Sequence, residues 1–170
     1  SLDESRKNIH IVAYRFLIAA DIWVFLTLSL AIVMSVPAIN IFTHGTHITV
    51  AHTMGATIGI NTMLLLAFVT DISEINPEQN KRIQKMITKG IIGVNLSLLI
   101  FWLSLIVAGV IKSEWQMSSS RVPFKEMMEN MRPIFIIFMT TGTLIVTSMF
   151  FILFPLSARL IQTKSKSIKK

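Results

Sequence analysis

Four long apolar runs separated by short polar stretches set the pattern of this chain, at about 11–36, 48–69, 91–111 and 133–156. A helix needs roughly 20 residues to cross the hydrocarbon core of a bilayer, and each run is long enough. Backbone groups facing lipid have to be satisfied within their own segment, so the runs are predicted to be α-helices. The short alternating strands and turn signals of a transmembrane barrel are absent. Pro37 is expected to end the first span, leaving a short uncharged loop over 38–47. Asn76–Pro77 reads as a turn, followed by a basic amphipathic stretch suited to the membrane surface. The loop 112–132 is predicted to be partly helical around 125–131, and Pro133 fits the first turn of the last span. The fold class is therefore all-α integral membrane, with four transmembrane helices in a single domain.

Composition agrees with this reading. Of the 170 residues 52% are hydrophobic, far from the profile of a soluble domain of this length. The net charge of +7 would fit a nucleic-acid partner if it formed a patch, but it is spread along the polar segments, and no nucleic acid is expected. Twelve of the 16 cations lie before or within the start of span one, between spans two and three, or in the tail 157–170; the other four lie in the two remaining loops. By the positive-inside rule both termini are expected to face the cytoplasm, with the basic tail near the lipid headgroups. With no cysteine, disulfides, thiolate metal sites and c-type haem attachment within this chain are excluded.

Candidate chemistry concentrates in 43–62, THGTHITVAHTMGATIGINT, which holds His44, His47 and His52, three of the four histidines. A histidine at a membrane boundary or inside an apolar span is costly and calls for a partner or a ligand. A neutral imidazole is a common axial donor to haem iron, and a hydrogen-bonded structural histidine is the competing reading for His52. Ala51, Gly55 and Gly59 form a stripe of small residues spaced four apart. Such a stripe serves close helix packing, or it leaves space for a flat ring on the side of His52. His47 reads as interfacial. Asp21 lies well inside span one, as a proton relay or helix partner if the helix starts near residue 11, or as an interfacial carboxylate if it starts near Ile22.

The THGT segment followed by Ala51–His52 resembles the corresponding stretch of the haem–copper oxidase superfamily, closest to the large subunit of nitric oxide reductases. The run from Asn95 to Lys112, the loop with Pro123 and Phe124, and the final span are similar in order. The whole chain resembles the last four of about twelve helices of that fold. The resemblance implies a haem b whose proximal ligand is His52. It implies that His44 lies near the haem propionates and a non-redox metal, and that Thr43, Gly45 and Thr46 help to position the propionates; Arg132, at the outer end of span four on the side of His44, reads as an interfacial anchor or a further neighbour of the propionates. Gly55 and Gly59 would pack on the haem.

The family carries a second histidine two residues after the proximal one, and here that position is Met54. Two residues advance a helix by about 200°, so one helix can serve haems on either side. Met54 then either ligates a second, low-spin haem, or packs while another group ligates it, or marks the loss of that haem. The resemblance implies a part, or a split subunit, of a membrane oxidoreductase that joins two NO with two electrons and two protons to N2O and water. An oxygen-reducing or NO-dismutating relative fits equally. The non-haem metal would come from other helices or chains, electrons from a cytochrome c or a quinol, and the location would be a bacterial cytoplasmic (inner) membrane. Two other expectations stand beside it: a non-catalytic membrane subunit on the same scaffold, and a one-haem electron carrier.

Overall fold

The computed structural model describes residues 10–73, 81–119 and 122–168, without the side chains of residue 160 and residues 162–168. All regular structure among the described residues is helical: α1 Ile11–Ser35, α2 Pro37–Thr43, α3 His47–Ile72, α4 Lys81–Met117, α5 Phe124–Asn130 and α6 Arg132–Ile168. The four long helices, α1, α3, α4 and α6, are each long and apolar enough to cross a membrane. The chain is a multi-pass membrane protein. The Asn76–Pro77 turn, the cations Arg6, Lys7 and Arg121 and the charged groups of the tail beyond Arg159 fall outside the described residues or side chains.

Three boundaries differ from the expected ones. The uncharged loop after span one is mostly helix: Val36 is extended, as a residue before proline tends to be, and Pro37 then opens α2 at its first position. The Nδ2 of Asn40 donates to the Met34 carbonyl across this break. The basic stretch from Lys81 to Lys89 is not a separate surface helix but the first turns of α4. No proline or glycine interrupts it before Gly90, so the ladder runs on into the apolar span. With 37 residues, α4 is about 55 Å long and outreaches a hydrocarbon core of about 30 Å. Likewise α6 continues past 156 to Ile168, through Pro155. Helix α5 lies where the pattern placed it, and Pro133 is in the first turn of α6.

Helix α4 is the centre of the unit, with half of its most apolar window buried; α6 is peripheral, with 17% buried. One apolar cluster joins Phe16 and Ala20 of α1, Met63 of α3, Ile87 and Val94 of α4 and Ile152 of α6. A second joins Trp23, Ala51, Leu98, Trp102, Leu105 and Ile145. Many large apolar side chains remain exposed, including Phe25, Phe68, Phe150 and Phe154, which is what a surface facing lipid or other helices requires.

Helix α3 is not uniform. From Gly55 to Thr62 its backbone is π-helical, with the Thr62 hydroxyl donating to the Thr57 carbonyl five residues back. In an α-helix a stripe spaced four apart drifts by about 40° per step. The wider π turn moves a four-residue step back in the opposite sense and offsets that drift, so Ala51, Gly55, Gly59 and Met63 form one continuous buried edge.

Candidate functional site

The THGT segment is the turn between α2 and α3. Gly45 has φ of 70°, the left-handed region that a glycine enters without a Cβ clash. Thr46 caps α3: its hydroxyl oxygen accepts from the Ile48 amide at 3.3 Å and its O–H donates to the Thr43 carbonyl at 2.7 Å. The Thr49 hydroxyl donates to the same carbonyl at 3.4 Å. Lys112, from α4, donates to the Gly45 carbonyl at 3.0 Å and ties the turn to the central helix. Thr43 and Thr46 are buried, whereas His44 is exposed at the end of α2. The two threonine side chains thus serve the turn itself, and His44 is the member of the segment open to an external group.

His52 lies on the second turn of α3, one residue past buried Ala51 and therefore at the border of the buried edge. It is half-buried. Its Nδ1 is sealed and has no hydrogen-bond partner. A buried ring nitrogen without a partner is the anomaly that an absent ligand or neighbouring chain accounts for. Only Nδ1 is enclosed in this way; the ring as a whole still reaches the surface of the unit. Axial coordination needs one accessible ring nitrogen, so the absence of a cluster of three or more metal-binding side chains among the described residues does not bear on it.

The small-residue edge is occupied. A Cβ on Gly55 would collide with the Thr27 methyl and lie 3.3 Å from the Trp102 Nε1; a Cβ on Gly59 would collide with the Trp23 ring. The two indoles meet edge to face at 6.2 Å. Beside Gly55 and Gly59 the structure holds helix packing of the small-residue type rather than room for a ring. Met54 packs against the same apolar cluster.

Two features of this region go beyond the residues singled out in the sequence. Trp23 donates its Nε1–H to Asn95 Oδ1 at 2.8 Å, and Asn95 donates to the Ile91 carbonyl at 2.8 Å, so the single amide of that span is a half-buried cross-helix tie. Trp102 Nε1 is sealed without a partner, next to Gly55. Asn95 was visible as the one amide in an apolar run; the Trp102 orphan carries no signal in sequence. His47 is half-buried, its Nδ1 also unpartnered, with its ring 5.8 Å from Phe135 in a cleft of about 180 Å³ between α3, α4 and α6.

Asp21 does not join this site. Helix α1 starts at Ile11, which puts Asp21 about 15 Å along it, exposed on the outside of the unit and without a partner among the described residues. Arg132 is exposed at the start of α6. Comparison with protein families, with curated proteins and with solved structures gives no match to this chain.

Proposed function

We propose that this chain provides the proximal haem ligand, His52, to a membrane oxidoreductase resembling nitric oxide reductase. The observation that carries the reading is a half-buried histidine in an apolar span whose ring has no hydrogen-bond partner at its enclosed Nδ1 and still reaches the surface of the unit. It sits on a helix that the THGT turn introduces. The other half of the site, including the non-haem metal, belongs to further helices or chains, and the electron donor is a cytochrome c or a quinol. When bound, a haem b supplies the iron at which two NO, two electrons and two protons become N2O and water. His44 is the polar group of the turn left free to meet a propionate or a metal. Lys112 and the threonines hold the turn that presents it.

A second reading, a non-catalytic membrane subunit on the same scaffold, is favoured by the packing of Met54 and by the filled edge at Gly55 and Gly59. The deciding measurement is a haem count with a CO difference spectrum on the native complex, repeated for His52→Ala. Loss of one CO-reactive haem supports ligation by His52. Unchanged haem content and an unchanged CO signal leave His52 structural and favour the second reading.

A further inference from the structure

The outer surface between α1 and α4 carries a long open groove whose two ends differ in chemistry. Its apolar part has a volume of about 440 Å³ and runs along Ile18, Ile22 and Leu26 of α1 and Ile92, Leu96 and Leu99 of α4. Trp23 and Asn95 form its floor at mid-length, where their mutual hydrogen bond leaves little polar surface. Beside it lies a second hollow, of about 510 Å³, lined by Arg15, Gln84, Lys85, Thr88 and Lys89. Arg15 lines both, so the two hollows adjoin at its side chain. Its guanidinium is fixed by a 2.6 Å bond from Nη1 to the Thr88 hydroxyl, which uses one of its five donors. No carboxylate pairs with Arg15, Lys85 or Lys89 among the described residues.

We propose that this groove binds an anionic glycerophospholipid, its phosphate among Arg15, Lys85 and Lys89 and one acyl chain along the apolar part. The charge pattern selects this occupant. Three cations gather beside an apolar slot on a membrane helix pair. A phosphodiester matches the arginine fork and the lysine ammonium groups, and only a lipid presents that anion continuous with an apolar chain. A zwitterionic lipid carries the same phosphate but adds a cation of its own beside the three charges, which an anionic lipid does not. The proposal is independent of any haem at His52, which lies on α3 and lines neither hollow.

The test titrates the full chain in a neutral detergent with phosphatidylglycerol and with phosphatidylcholine of the same acyl chains. Retained lipids are counted by native mass spectrometry. Each lysine or arginine near an anionic headgroup contributes about a fivefold preference, so phosphatidylglycerol is retained at concentrations at least tenfold lower than phosphatidylcholine. The exposed pair Lys85→Gln/Lys89→Gln loses most of that preference. Lys81→Gln/Arg82→Gln, with the same charge change outside the hollow, keeps it. Ile92→Trp/Leu96→Trp fills the apolar part, leaves every charge in place and loses it too. Equal retention of both lipids overturns the proposal. So does equal loss in the two lysine variants, which would reduce the effect to overall charge, and so does full retention in the filled variant.

Discussion

Gly59 carries the sharpest quantitative consequence of this packing. It is buried, and a Cβ there would lie 2.8 Å from the Trp23 Cβ and closer still to the ring carbons. Trp23 is 2% exposed, bonded to Asn95 and held edge-on by Trp102, so its ring root has nowhere to go. Forcing extra volume into such a contact costs about 1–3 kcal/mol. Replacing glycine by alanine inside a helix returns about 0.5–1 kcal/mol of backbone entropy. Gly59→Ala is therefore expected to lose about 1–2 kcal/mol net. Gly142 supplies the opposite sign: its added Cβ would meet Phe101 at 3.5 Å, an ordinary contact, so Gly142→Ala is expected to gain about 0.5–1 kcal/mol. Unfolding of both variants in mixed micelles, followed by circular dichroism as SDS is raised, reads the difference. Adding Trp23→Leu to Gly59→Ala should cost less than the two single changes summed, because the leucine removes the clash. A Gly59→Ala protein as stable as the parent would refute the close approach of α3 to α1 at this level.

Other consequences follow from single contacts. Thr46→Ala removes the cap of α3 and should destabilise by about 0.5–2 kcal/mol in the same assay, with Thr46→Ser retaining most of the stability. Gly45→Val places a β-branched residue at φ of 70° and should cost about 1–3 kcal/mol; a neutral result would show that the turn is not held there. Asn95→Leu leaves the Trp23 Nε1–H without an acceptor, an expected loss of about 1–3 kcal/mol that Asn95→Gln does not restore if the geometry is as found. Asp21→Leu should favour insertion of α1 by about 3 kcal/mol in a translocon glycosylation assay, since the carboxylate is exposed in mid-helix; no change would place Asp21 at the interface.

Much of the architecture was legible because the constraint behind it is severe: runs of about 20 apolar residues in a bilayer have one solution, and Pro37 and Pro133 punctuate two of the four. The ends were less legible. Hydropathy marks where the apolar surface stops, not where the hydrogen-bond ladder stops, so the basic turns from Lys81 to Lys89 looked like a separate element. At the site, His52 was marked by its cost in an apolar setting, whereas the left-handed Gly45 and the Thr46 cap emerged only in the fold. The stripe of Ala51, Gly55 and Gly59 left two readings open because a small residue states that something comes close and not what. The indole of Trp23, more than 30 residues away in sequence, supplies the answer in this fold. The π turn had no visible cause, since it depends on keeping a four-residue spacing in line with a neighbour that the local sequence does not name.

That π turn also divides labour within one helix. Before it, His47, Ile48 and Val50 look toward α4 and α6: Ile48 presses on Gly109, and His47 on Phe135. After it, Met63, Leu66 and Ala67 are built into the cluster around Phe16 of α1. Helix α3 thus works as a coupling with two keyed ends cut at different angles, and the eight residues between set the angle. Deleting one residue from Gly55–Thr62 would change the angle between the two ends. The half that carries His52 could then stay seated only if the half that grips α1 let go.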